Sequence, residues 1–150
     1  MIGTRLNYGI PDIDLPRHGG GTVNPGDFAG HPLIVVFCPA DPAAEAQELR
    51  QCAERVGEYD SYEAWLITIG REGGSSSTES GGPSASAYDP GDMAWAAFKE
   101  VAARPGSKLD RAEGATFLFG RGGSLQRSWP GCGHEAEVLA ELAQRIPKEK

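Results

Sequence analysis

Five consecutive residues, Leu33-Ile34-Val35-Val36-Phe37, are apolar, and the run is bracketed by Pro32 and Pro39. A strand with one wet face alternates apolar and polar residues. An unbroken run, β-branched or aromatic at all but Leu33, predicts a strand buried on both faces. Asp41 then suits a helix N-cap, and Pro42 the first helical position, where a missing N–H is no loss. Ala46, Leu49, Cys52, Ala53 and Val56 recur at helical spacing and predict one apolar helix face. In α/β sheets, chemistry collects beyond the carboxyl end of such a strand. Here that place holds Cys38, Pro39, Asp41 and the first helical turn.

The flanking segments extend this unit. Before it, short extended pieces are expected near Ile10–Leu15 and Gly21–Val23, joined by a Gly-rich turn, with Phe28 plugging the core. After the helix, Tyr62–Ile69 reads as a second central strand, parallel to the first through a right-handed crossover. The stretch GREGGSSSTESGG from Gly70, followed by PSASA, is low-complexity, so a flexible loop is expected at about 70–87 within a single domain spanning 1–150. Asp89-Pro90 restarts regular structure. Met93, Ala94, Ala97, Phe98 and Val101 form a helical stripe, with Trp95 off it, where it could cover a loop or a partner. Thr116–Phe119 and Ser124–Trp129 predict a hairpin. Val138, Leu139, Leu142, Ala143 and Ile146 predict a last helix, with Glu135 and Glu137 in its first turn and Arg145 in its last, as the helix dipole favours. A parallel βαβ half followed by a ββα half is the thioredoxin-like arrangement: α/β, with a central mixed sheet flanked by helices and an extended N-terminal addition.

Composition narrows the function. With 150 residues, 39% hydrophobic, the chain can bury a real core. Its net charge of −7, without a basic stripe, argues against nucleic acid and anionic membrane surfaces. No apolar segment approaches the roughly 18 residues of a membrane helix. MIGTRLNYGI lacks a signal pattern. A cytoplasmic protein with three reduced thiols is therefore expected.

Several stretches resemble the peroxiredoxin-type redoxins of the alkyl hydroperoxide reductase/thiol-specific antioxidant family. Gly9-Ile10-Pro11-Asp12-Ile13-Asp14-Leu15-Pro16 resembles the family's opening. Asp27-Phe28-Ala29-Gly30-His31-Pro32 with Phe37-Cys38-Pro39-Ala40-Asp41 is similar to its D-F-x-G-x-P and F-x-P-A-D elements. Tyr88-Asp89-Pro90-Gly91, Ala115-Thr116-Phe117-Leu118-Phe119 with Gly123, and Gly133-His134-Glu135-Ala136-Glu137-Val138-Leu139 follow in the family's order. The Gly/Ser-rich loop departs from the pattern, standing where the family usually has a helix.

The resemblance implies a thiol peroxidase site, and the residues that would build it differ here. In such a site a cysteine in the first helical turn is held as thiolate by the helix N-terminus and an arginine. It attacks the peroxide oxygen and becomes a sulfenic acid, while a threonine and the arginine stabilise the departing oxygen. Here the motif's proline is Pro39, but its threonine falls on Ala43 and its cysteine on Ala46. A register shift brings in only Glu45 or Gln47. The arginine position falls on Gly114, with Arg111 as a nearby substitute. A thioredoxin C-x-x-C would fall on Pro42 and Glu45, and that family's cis-proline on Ala115.

The cysteines are the remaining nucleophiles. Cys38 ends the central strand at the mouth of the expected pocket, or is simply a small buried residue. Cys52 shares the apolar face of the first helix, which predicts core packing. A Cys38–Cys52 bridge is geometrically poor, because Cys52 lies roughly 15 Å along the helix, whereas a disulfide needs Cα atoms within about 7 Å. Cys132 precedes the last helix and lies near His134, features that lower a thiol pKa. Cys132 and His134 are only two of the four ligands of a closed zinc site, so no metal and no other cofactor is expected. Asp41 and Glu45 at the helix start either pair for acid–base work or complement the helix N-terminus.

Two functions follow as expectations. One is a redoxin-fold module without the usual peroxidatic cysteine, binding an unidentified protein or a second copy of itself, near Trp95 or the loop after Pro39. The other is a thiol-dependent peroxidase or oxidoreductase using Cys38 or Cys132, with Arg111 as its cation.

Overall fold

The computed structural model describes residues 10–11, 13–17, 21–28, 30–39, 41–70, 84–89, 92–101, 113–120, 123, 125–131 and 133–145. The apolar run forms strand β3 (Leu33–Phe37), with every residue buried. It lies in the middle of a five-stranded sheet of order β5-β4-β3-β6-β7. On one side β4 (Trp65–Gly70) and then β5 (Ser84–Tyr88) run parallel to it; on the other β6 (Ala115–Phe119) and β7 (Leu125–Pro130) form an antiparallel hairpin. Two short strands, β1 (Leu15–Pro16) and β2 (Thr22–Val23), pair antiparallel. Arg17 bridges to Ala87, so the N-terminal addition lies along the outer edge of β5.

The two-residue period of β3 divides the core. Leu33, Val35 and Phe37 face helix α2 (Met93–Val101), joined by Ile67, Ile69, Ala115, Phe117 and Phe119. Ile34 and Val36 face the opposite layer, where helices α1 (Pro42–Asp60) and α3 (Glu135–Arg145) pack with Leu66, Leu118 and Trp129. Phe37 sits edge-on to Trp95, Phe98 and Phe117 at centroid distances of 5.2, 5.3 and 5.8 Å. Burying one such ring contributes about 2 kcal/mol, and edge-to-face pairing adds to it. Phe28 stacks on Trp65 at 4.8 Å, in the plugging role expected of it.

Four expectations change. Residues 84–88 are strand, and Gly70 ends β4, so the loop expected at about 70–87 shrinks from both ends; residues 71–83 lie outside the described residues. Backbone pairing to β4 supplies the stability that the small Ser and Ala side chains do not signal. Tyr62 belongs to a turn, and β4 starts only at Trp65. Trp95 is not off the helix stripe: it is 8% exposed and packed on Phe37, whereas Met93, assigned to the stripe, is 66% exposed. The surface near Trp95 therefore does not present the indole to a partner. Finally, the inward face of α1 carries Glu45, Glu48, Cys52 and Tyr59, while Ala46, placed there by periodicity, is exposed. The side chains of Leu49, Ala53 and Val56 lie outside the described residues. Among the described residues no helix is long and apolar enough to cross a membrane.

Candidate functional site

The end of β3 and the start of α1 meet as the sequence predicts. Cys38 donates its backbone N–H to the Ile69 carbonyl at 2.8 Å, which carries the β3–β4 pairing one residue further. Pro39 is buried behind it. Asp41, extended at φ −68° and ψ 124°, caps α1 by accepting the Ala44 N–H at 3.0 Å, and Pro42 opens the helix. The exposed carboxylate of Asp41 is thus a helix cap, one of its two expected roles.

The side chains on this tip divide sharply. Ala43 and Ala46 face solvent. Glu45 turns inward and is 1% exposed. Its carboxylate lies over the bare Cα of Gly70, where a Cβ would come within 2.4 Å of Oε2. Asp41 and Glu45 are therefore not an acid–base pair: one caps the helix outside and the other is seated inside.

Cys38 is 0% exposed and Cys52 1%, and no disulfide joins them. Cys38 thus takes its buried reading. Gly114, at the arginine position of the family resemblance, has φ +85°, a left-handed conformation that favours glycine over any side chain. Its carbonyl accepts the Gly131 N–H at 3.0 Å. Arg111 and Cys132, and the relation of either to the tip, lie outside the described residues. His134, considered as a metal ligand with Cys132, holds the Pro130 carbonyl through Nε2 at 2.8 Å and Glu137 through Nδ1 at 2.5 Å.

A second group lies deeper along α1, and sequence reading missed it. Glu48 and Cys52, one helical turn apart, meet Glu135 at the first turn of α3. Cys52 Sγ lies 3.6 Å from Glu48 Oε2 and 4.0 Å from Glu135 Oε2. The Gly133 N–H donates to Glu48 Oε1 at 3.2 Å. Glu48 is 4% exposed. Burial, followed by its hydrogen bond to Glu135 and the charge there, pushes its carboxyl up to about 8. Burial and the same two carboxylates push the Cys52 thiol well above its ordinary value. Burial likewise raises the Tyr59 hydroxyl on the same face. A cleft of about 310 Å³, lined by Gln51, Glu54, Arg55, Gly133, Glu135 and Ala136, opens at this point. The available signal was the i, i+4 spacing of Glu48 and Cys52, which puts both on one helix face.

No protein-family model matches the chain, and no curated protein matches it by sequence. Solved structures do match. Peroxiredoxin Q of Xanthomonas campestris superposes with a TM-score of 0.71 at 21% identity, over 95% of this chain and 97% of that one. The pneumococcal exposed lipoprotein thioredoxin of Streptococcus pneumoniae gives 0.64 at 15% identity, over 89% and 99%. A thiol:disulfide interchange protein, DsbE, from Chlorobium tepidum gives 0.61 at 18% identity, over 95% and 96%. With a mixed sheet of order β5-β4-β3-β6-β7, α2 on one face and α1 and α3 on the other, the chain has a thioredoxin-like fold in the form shared with peroxiredoxin Q.

Proposed function

We propose that this chain is a redoxin-fold protein without the usual peroxidatic cysteine, acting as a non-catalytic binding or interaction module. One observation carries this reading: the tip positions where the resemblance places threonine and cysteine are the solvent-facing Ala43 and Ala46, while both described thiols are buried. Thiol peroxidase chemistry needs an accessible thiolate at an electropositive spot. Alanine supplies no nucleophile, Cys38 is sealed behind the strand, and Cys52 is held as thiol among carboxylates. Gly114 adds no guanidinium where the family resemblance would place one. The exposed tip then serves as surface for a protein or for a second copy of the chain.

The test is turnover of hydrogen peroxide and an organic hydroperoxide by the wild type and by Cys38→Ser, Cys52→Ser and Cys132→Ser. Rates at the buffer level in all four support the module. Turnover that disappears in a single cysteine variant overturns it in favour of a relocated nucleophile. Cys132, three residues before Glu135 in sequence, is the thiol that this comparison addresses most directly.

A further inference from the structure

We propose that Glu48, Cys52 and Glu135 form a zinc site that clamps α1 to α3. Glu48 and Cys52 stand at i and i+4 on one helix face, a spacing that aims two side chains at one point. Glu135 enters from the first turn of the facing helix. The three donor atoms lie within 4.8 Å of one another. The geometry fits a single small cation. A tetrahedral zinc with bonds of about 2.3 Å to sulfur and about 2.0 Å to oxygen sets sulfur and oxygen about 3.5 Å apart. The Cys52 Sγ separations are 3.6 Å and 4.0 Å.

The surroundings suit a bound ion. The Cys52 thiol is 1% exposed, yet it is directed at two carboxylates rather than only at the apolar core around Ile34, Leu118 and Val138. As a thiol it has one weak S–H to offer two carboxylates, so it can donate to only one of them at a time. The Gly133 N–H holds Glu48 through Oε1, leaving Oε2 toward the sulfur. A second hydrogen bond that fixes a ligating carboxylate is a regular feature of metal sites. A cleft lined by Glu135 and Gly133 adjoins the group. Arg55, the cation in its lining, is bonded to Glu58 at 2.7 Å. One thiolate with two carboxylates selects zinc over the hard, all-oxygen ions calcium and magnesium. On binding, the Cys52 thiol and the Glu48 carboxyl give their protons to solvent, and the sulfur and the carboxylate oxygen become zinc ligands.

The experiment is titration of the chelator-stripped full-length chain with Co²⁺ as spectroscopic probe, followed by competition with Zn²⁺. The expected result is saturable, stoichiometric binding with a thiolate-to-cobalt charge-transfer band and the intense visible absorption of four-coordinate cobalt, both reversed by Zn²⁺. Cys52→Ser removes the charge-transfer band, and Cys38→Ser keeps it. Glu135→Gln, at a half-buried position that tolerates the change, weakens affinity at least about tenfold, by analogy with the loss on removing a supporting group. No saturable binding, binding without the band, or a band that survives in Cys52→Ser overturns the proposal. Should Cys52→Ser not fold, unchanged affinity in Glu135→Gln overturns it alone. In any of these cases the two carboxylates share only a proton.

Discussion

The seat of Glu45 over Gly70 can be tested by a double-mutant cycle. Adding a methyl group at Gly70 places Cβ 2.4 Å from Glu45 Oε2, about 1 Å inside the 3.4 Å at which ordinary contact begins. Overpacking of this size costs about 1–3 kcal/mol in a tight interior. The clashing atom is the end of a flexible side chain, so the lower half of that range applies, about 1–1.5 kcal/mol. With Glu45→Ala in place the clash is gone. Gly70 is a strand residue whose φ is not in the left-handed region, and there Gly→Ala stabilises by about 0.4–1 kcal/mol through the unfolded chain. The sign of the Gly70→Ala effect should therefore reverse between backgrounds, with a coupling energy near 2 kcal/mol. Urea unfolding of the wild type, both single variants and the double variant measures it, with unchanged slopes confirming a common unfolding reaction. Single-variant effects that add within about 0.5 kcal/mol would refute the reasoning, and Glu45 would not be seated on the Gly70 backbone.

Other consequences can be checked separately. Asp89, 5% exposed, accepts the N–H groups of Ala94 and Trp95 at 2.8 Å each. Asp89→Ala should cost about 2 kcal/mol by leaving both donors unmet, and unchanged thermal unfolding would contradict that. Iodoacetamide followed by mass spectrometry should leave Cys38 and Cys52 unmodified in the native protein at neutral pH and label both after denaturation; native labelling of Cys52 faster than global unfolding would contradict its burial. Glu48 gives a pH dependence in chelator-containing buffer. Its folded pKa, about 8, lies above the reference 4.5, so its contribution is full below about pH 4.5 and is lost as pH rises through about 8. At 1.36 kcal/mol per unit the ceiling is about 5 kcal/mol, and water in the adjoining cleft reduces this to roughly 2–3 kcal/mol. Glu48→Gln should flatten the decline between about pH 4.5 and 8, and an equal decline in the variant would assign it elsewhere.

Residue order alone determined the architecture. A five-residue apolar run, a proline and aspartate at a helix start, and alternating strand and helix periods are local signals, and each maps directly onto backbone conformation. The same order placed Ala43, Ala46 and Gly114 where the family resemblance calls for threonine, cysteine and arginine. The tertiary structure decided what the local signals left open. Periodicity put Ala46 on the inward face and gave no place there to Glu48, because it ranks side chains by their preference for water. The orientation of α1 against β4 and α3 turned Ala46 out and two carboxylates in: Gly70 leaves room for Glu45, and Gly133 supplies an N–H to Glu48. The Ser/Ala strand β5 was hidden because its stability comes from pairing with β4, a partner that no local pattern names. The cluster of Glu48, Cys52 and Glu135 joins residues more than eighty positions apart, and only the packing of α3 on α1 brings those groups within reach of one another.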